Sequence, residues 1–259
     1  MDRYRWLPPI PPEHGAKTLL LVALATPPSI GIGAEAPDEA GVIPAYLLVI
    51  GIGAGTMLFR EATRQFLQAA AGDRRRDGAI AVFEAVILVG LTGGLMVLEG
   101  TRWGLLLLLP MGGASEAWLT RNGGSKPLLK AGGGVLVIGI LVPVGLLLLG
   151  LTDPATLVVG YGLFSGYHLL AVLRVGATVE ALEAVRSNVL PVPTAAVLVA
   201  VVGYAGGVLG VGAPIVFGLS LLRSGHLERR DGKPSLKRLG QAEAMLSLAF
   251  VGAGPFLLA

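Results

Sequence analysis

The chain has 259 residues, 53% of them hydrophobic and only 14% charged, with a formal net charge of +3, no cysteine and a mean hydropathy of +0.73. So few charges cannot cover a water-exposed surface, and the composition points to the bilayer as the solvent of the chain. It excludes disulfide frameworks, thiolate nucleophiles and cysteine metal sites, and the cations sit in short connectors between apolar runs, which reads as membrane topology and not as a nucleic-acid-binding face.

A helix needs roughly 20 apolar residues to cross a hydrocarbon core of about 30 Å. Arg3 and Arg5 precede the first such run, at 16–34; the Ala34-Glu35-Ala36 triplet after it has the look of a signal-cleavage site, but the run is expected to remain as a span. Further spans are expected at 42–60, 79–98, 103–121, 130–151 and 154–173, and a last one at 240–258. Between them Leu190 to Leu222 runs for thirty-three residues without a charge, too long for one untilted helix and short for two full ones.

Counting cations decides between these. One span there puts the basic connector with Arg223, Arg229, Arg230, Lys233, Lys237 and Arg238 on the same side as Arg102. Two short spans, 190–206 and 207–223, turning at Gly206-Gly207, return it to the side of the N-terminus, and then every one of the 20 cations but Arg102 lies inside. The expectation is therefore an all-α polytopic bundle of about nine spans forming a single domain over 1–259. Its N-terminus would be cytoplasmic and its C-terminus outside, in the cell membrane. Gly51, Gly53 and Gly55, with Gly132 to Gly134 and Gly139, are expected on helix-contact faces, since small residues let helices approach where lipid gives no hydrophobic drive. Gly51-Ile52-Gly53-Ala54-Gly55 is not read as a phosphate loop, because it lies inside a span and not between a strand and a helix.

Ionisable groups within a bilayer cost about 2.5 to 3.5 kcal/mol on insertion scales, so each calls for a partner or a purpose. Glu84, Glu116, His168 and Glu243 each lie five or six residues from the cytoplasmic end of a span, roughly 8 to 9 Å deep at 1.5 Å per residue. Glu13, His14 and Lys17 before span 1 and Arg60, Arg64 and Gln68 at the end of span 2 extend this layer, as does Arg174 at the end of span 6. Two readings follow: glutamate–arginine and glutamate–histidine pairs that fix helix register, or a cytoplasm-facing cavity that binds a polar head group while its apolar tail lies between helices. A haem needs axial ligands that face each other; His168 is the only histidine inside a span, so none is expected.

Pro12-Glu13-His14-Gly15-Ala16, with Arg238-Leu239-Gly240-Gln241-Ala242-Glu243 and Ser247, resembles the first and last segments of the YwiC-like integral membrane proteins. Lys17 stands where that family has tryptophan. The resemblance implies a membrane protein without an assigned reaction. The nine-helix layout with long connectors at Arg60–Gly78 and Arg174–Asn188 is also similar to the UbiA-type intramembrane prenyltransferases. Those enzymes hold magnesium on aspartate-rich motifs. The candidates here are Asp73 and Asp77, which flank Arg74, Arg75 and Arg76, with Glu180 and Glu183 on the other connector. Arginines where metal-binding aspartates belong leave that chemistry as the alternative reading. The leading expectation is an isoprenoid, quinone or lipid bound at the polar layer, or a subunit of a larger membrane assembly. A small-solute transporter is a further alternative, for which the Gly206-Gly207 turn and Pro214 are the local hint.

Overall fold

The apolar runs and their flanking glycines and prolines produce helices and little else. The computed structural model describes residues 14–33, 42–68, 74–99, 107–122, 127–179, 188–228 and 236–258. These contain α1 His14–Gly33, α2 Val42–Gln68, α3 Arg74–Glu99, α4 Leu108–Asn122, α5 Pro127–Gly139, α6 Leu141–Leu148, α7 Pro154–Val179, α8 Pro191–Ala205, α9 Gly212–Glu228, α10 Leu236–Gly252 and a 3-10 turn at Gly254–Phe256. The protein is all-α: among the described residues the only β-type pairing is an isolated bridge between Leu209 and Leu258. Two segments, Ala131–Leu148 and Pro154–Ala177, are long and apolar enough to cross a membrane.

Local chemistry explains where the helices stop. The segment expected as one span at 130–151 is two helices, because Pro143 has no N–H for the carbonyl of Gly139 and the chain breaks at Ile140. The uncharged stretch at 190–222 is also two helices, α8 and α9. At the end of α8, Gly207 takes φ +71°, its N–H donates to the Tyr204 carbonyl (3.0 Å) and that of Val208 to the Gly203 carbonyl (2.9 Å). This glycine-dependent cap closes the last turn. A Cβ on Gly203 would lie 2.7 Å from Leu209 at this end, and one on Gly225 would lie 3.9 Å from Leu190 at the other, so α8 and α9 run antiparallel as a hairpin. Asp153 caps α7, accepting from the Thr156 N–H (2.8 Å) and hydroxyl (2.9 Å) ahead of Pro154. Those bonds hold its carboxyl below the usual aspartate range.

The chain divides into two compact units, Met1–Leu20 with Glu39–Val144, and Leu21–Asp38 with Gly145–Ala259. In the first, α2 packs on α3 and α4. Gly55 abuts Leu88 (3.0 Å for an added Cβ) and Gly78 abuts Phe66 (3.0 Å), so α2 and α3 are antiparallel. Gly53 similarly admits Leu20 and Leu141, each at 3.1 Å, whereas Gly51 and Gly133 face open space and make no such approach. In the second unit, α7, α9 and α10 surround a core of Phe164, Tyr167, Phe217 and Phe250. Tyr167 stacks on Phe250 at a centroid distance of 4.7 Å, and its hydroxyl donates to the Leu246 carbonyl at 2.7 Å.

Both units bury polar groups and expose apolar ones. On α3, Val82, Phe83, Val86, Ile87 and Val89 are exposed while Glu84 is buried with Ala81 and Leu88. On α9, Ile215, Leu219 and Leu222 are exposed and Ser220 and Ser224 buried. On α8, Leu198, Val199, Val201 and Val202 all face outward. A soluble helix keeps its apolar residues inward; these helices bury apolar residues such as Leu88, Ala200 and Phe217 and carry a further apolar face outward.

Candidate functional site

In the first unit the site is built on α2. From Gly55 opposite Leu88 and Phe66 opposite Gly78, the antiparallel register brings Arg60 and Glu84 to one level, and the Cβ of Arg60 lies against Gly113 of α4 (3.3 Å for an added Cβ). Glu84 is 8% exposed, and neither of its carboxylate oxygens has a hydrogen-bond partner. Arg64 donates from Nε and Nη2 to both oxygens of Glu61, the former at 3.0 Å, and Gln65 donates to the same carboxylate at 3.2 Å. Glu61 is a member that the depth count misses, although its i, i+3 spacing to Arg64 is readable in the sequence.

In the second unit Arg174 and Glu243 find each other. Arg174, wholly buried on α7, donates from Nε to Glu243 Oε1 (3.0 Å), from Nη2 to Oε2 (2.7 Å) and from Nη1 to the Ser220 hydroxyl. The fork binds both carboxylate oxygens and joins α7, α9 and α10 in one charge-compensated knot. Of the glutamate–arginine and glutamate–histidine pairings the sequence leaves open, Glu243 makes the former. The arginine side chain reaches Glu243 from six residues beyond His168 on α7. Ser220 carries no sequence signal of its role, since a serine in an apolar helix looks the same on any face.

His168 is 4% exposed. Its Nδ1–H donates to the Phe164 carbonyl at 2.9 Å, because a carbonyl can only accept, and in the neutral ring this leaves Nε2 with a lone pair. Phe164, Tyr167 and Phe250 surround the ring at centroid distances of 4.3, 5.3 and 5.6 Å. Nε2 has no partner, and neither does the hydroxyl of Ser165, one turn earlier on α7 and also 4% exposed.

Several expected members are not placed. Glu13, Asp73, Glu180 and Glu183 lie outside the described residues, as do the side chains of His14, Gln68, Asp77 and Glu116. Among the described residues no three histidine, aspartate or glutamate side chains gather as a metal cage. The structure therefore pairs Arg174 with Glu243 and sets Arg60 and Glu84 at one level, and it leaves the Glu84 carboxylate, the Ser165 hydroxyl and His168 Nε2 without partners. Comparison of the chain with protein-family models, with curated proteins and with solved structures finds no match in any of the three.

Proposed function

We propose that the chain is a polytopic protein of the cell membrane, crossing it nine times with the N-terminus cytoplasmic and the C-terminus outside. Its helices hold the polar head of an isoprenoid, quinone or other membrane lipid on the cytoplasmic side. The exposed apolar faces of α3, α8 and α9 support the membrane part of this reading, and the cation distribution supports the orientation. The likeness to YwiC-like membrane proteins agrees with it and supplies no reaction.

One observation carries the binding part: in the second unit the buried Ser165 hydroxyl and His168 Nε2 lack hydrogen-bond partners among apolar neighbours. A buried polar group without a partner costs about 1–3 kcal/mol, and a bound head group removes that cost. The ion pair Arg174–Glu243 is self-sufficient and holds the helices in register around it.

The test is native mass spectrometry of the full chain extracted in mild detergent. An isoprenoid-class or quinone-class lipid is expected to remain bound at one per chain. Its removal by detergent exchange is expected to lower the thermal midpoint, and adding it back to restore it. A chain that carries no such lipid and is equally stable before and after exchange refutes the reading.

A further inference from the structure

The two orphan atoms on α7 specify more than a generic lipid. Ser165 and His168 are three residues apart, hence neighbours on one helical face, and both are more than nine-tenths buried. Their chemistry is complementary: Nε2 of the neutral imidazole accepts and cannot donate, whereas the serine hydroxyl can donate. A ligand oxygen carrying one hydrogen satisfies both, giving its hydrogen to Nε2 and accepting from Ser165. A ketone or ether oxygen satisfies only the serine.

The same helix provides an approach. Gly162, one turn before Ser165, is exposed, and an added Cβ there would meet nothing within 4 Å. Gly166 has only Phe217 near it, at 3.9 Å. The face of α7 that carries Ser165 is therefore open one turn away at Gly162, and Val158, one turn farther out on the same face, is exposed like the apolar positions elsewhere. The rings of Phe164, Tyr167 and Phe250 close the inner side.

Building on the lipid-binding reading, we infer that Ser165 and His168 form a two-point site for the hydroxyl head of an apolar isoprenoid, either a prenol or a prenylated hydroquinone, that enters beside Gly162. His168 accepts the ligand hydrogen, Ser165 donates to the ligand oxygen, and the tail stays in the lipid outside α7.

The full chain in nanodiscs is titrated with farnesol, with farnesyl methyl ether, and with a prenylated hydroquinone and its quinone. Farnesol is expected to bind at least about tenfold more tightly than its ether, a difference of about 1.4 kcal/mol. His168→Phe should remove most of that preference, Ser165→Ala should weaken binding of alcohol and ether alike, and Gly162→Leu should weaken binding of every probe. Stronger binding of hydroquinone than of farnesol identifies the head as a phenol; the reverse identifies a prenol. Equal binding of alcohol and ether in the wild type, a preference that survives His168→Phe, or affinities unchanged by Ser165→Ala, overturns the hydroxyl site and leaves the lipid-binding reading standing. Water held by Ser165 and His168 with no probe bound at any concentration, together with no co-purified lipid, overturns both. Ser165→Ala removes one atom and is the control for misfolding of His168→Phe.

Discussion

Arg174 shows how a single side chain is committed by its surroundings. A guanidinium with no exposed surface can persist only with its charge answered and its donors filled, and Glu243 and Ser220 supply both. Removing the carboxylate leaves a buried cation: Glu243→Ala is expected to cost about 3–5 kcal/mol, read as a fall in thermal midpoint in detergent. Replacing both charges, Arg174→Met with Glu243→Leu, is expected to recover most of that loss. A double variant no more stable than Glu243→Ala would mean that the pair contributes something other than charge compensation. The sequence offered glutamate–arginine pairing as a reading but not which arginine meets Glu243, because counting residues gives height and not direction around the axis. On a helix that is apolar on all sides the 3.6-residue period that marks the inward face of a soluble helix is missing. For the same reason the orphan hydroxyl of Ser165 was invisible in the sequence, although its neighbour His168 was not.

At the scale of elements, the tightest fit is at the end of the second unit, where the C-terminal turn seats on the loop between α8 and α9. The Gly210 N–H donates to the Leu257 carbonyl at 2.9 Å. A Cβ on Gly210 would meet the backbone oxygen of Phe256 and would sit 2.6 Å from that of Leu258; Gly254 similarly leaves space for Ser29, whose hydroxyl donates to the Val251 carbonyl. Backbone cannot rotate away as a side chain can, so Gly210→Ala is expected to destabilise by about 1–3 kcal/mol and to free the C-terminal turn, seen as faster proteolysis beyond Gly252. Gly51→Ala, with nothing within 4 Å, is the matched control and should stay within about 0.5 kcal/mol of wild type. The glycine richness of the chain signalled close approach in general. Which glycines make it depends on the register between helices, and that is set by long-range packing no local pattern encodes.

For the whole molecule, the helices themselves were legible, since long uncharged runs bounded by basic connectors leave few other structures open. The break at Ile140 followed from Pro143 and was in principle readable. The cysteine-free chain makes the proposed topology directly testable by single-cysteine labelling in sealed vesicles. Asp73→Cys, Ser125→Cys and Gly232→Cys should react only from the cytoplasmic side, and Asp38→Cys, Thr101→Cys, Thr152→Cys and Gly207→Cys only from the other. Labelling of Gly232→Cys from outside would mean that α8 and α9 do not form two crossings, and would remove the ninth span.

The hairpin of α8 and α9 has a bearing on the membrane itself. With 15 and 17 residues, its arms extend about 22 and 25 Å at 1.5 Å per residue, several ångströms less than a typical hydrocarbon core of about 30 Å. As a pair of crossings, arms that short would create hydrophobic mismatch, and lipid would compress around them or they would draw their flanking residues inward. In the proposed nine-span topology the leaflets beside the second unit would then be thinner than the surrounding bilayer, and the protein would gather short-chain lipids and partition toward thin membranes.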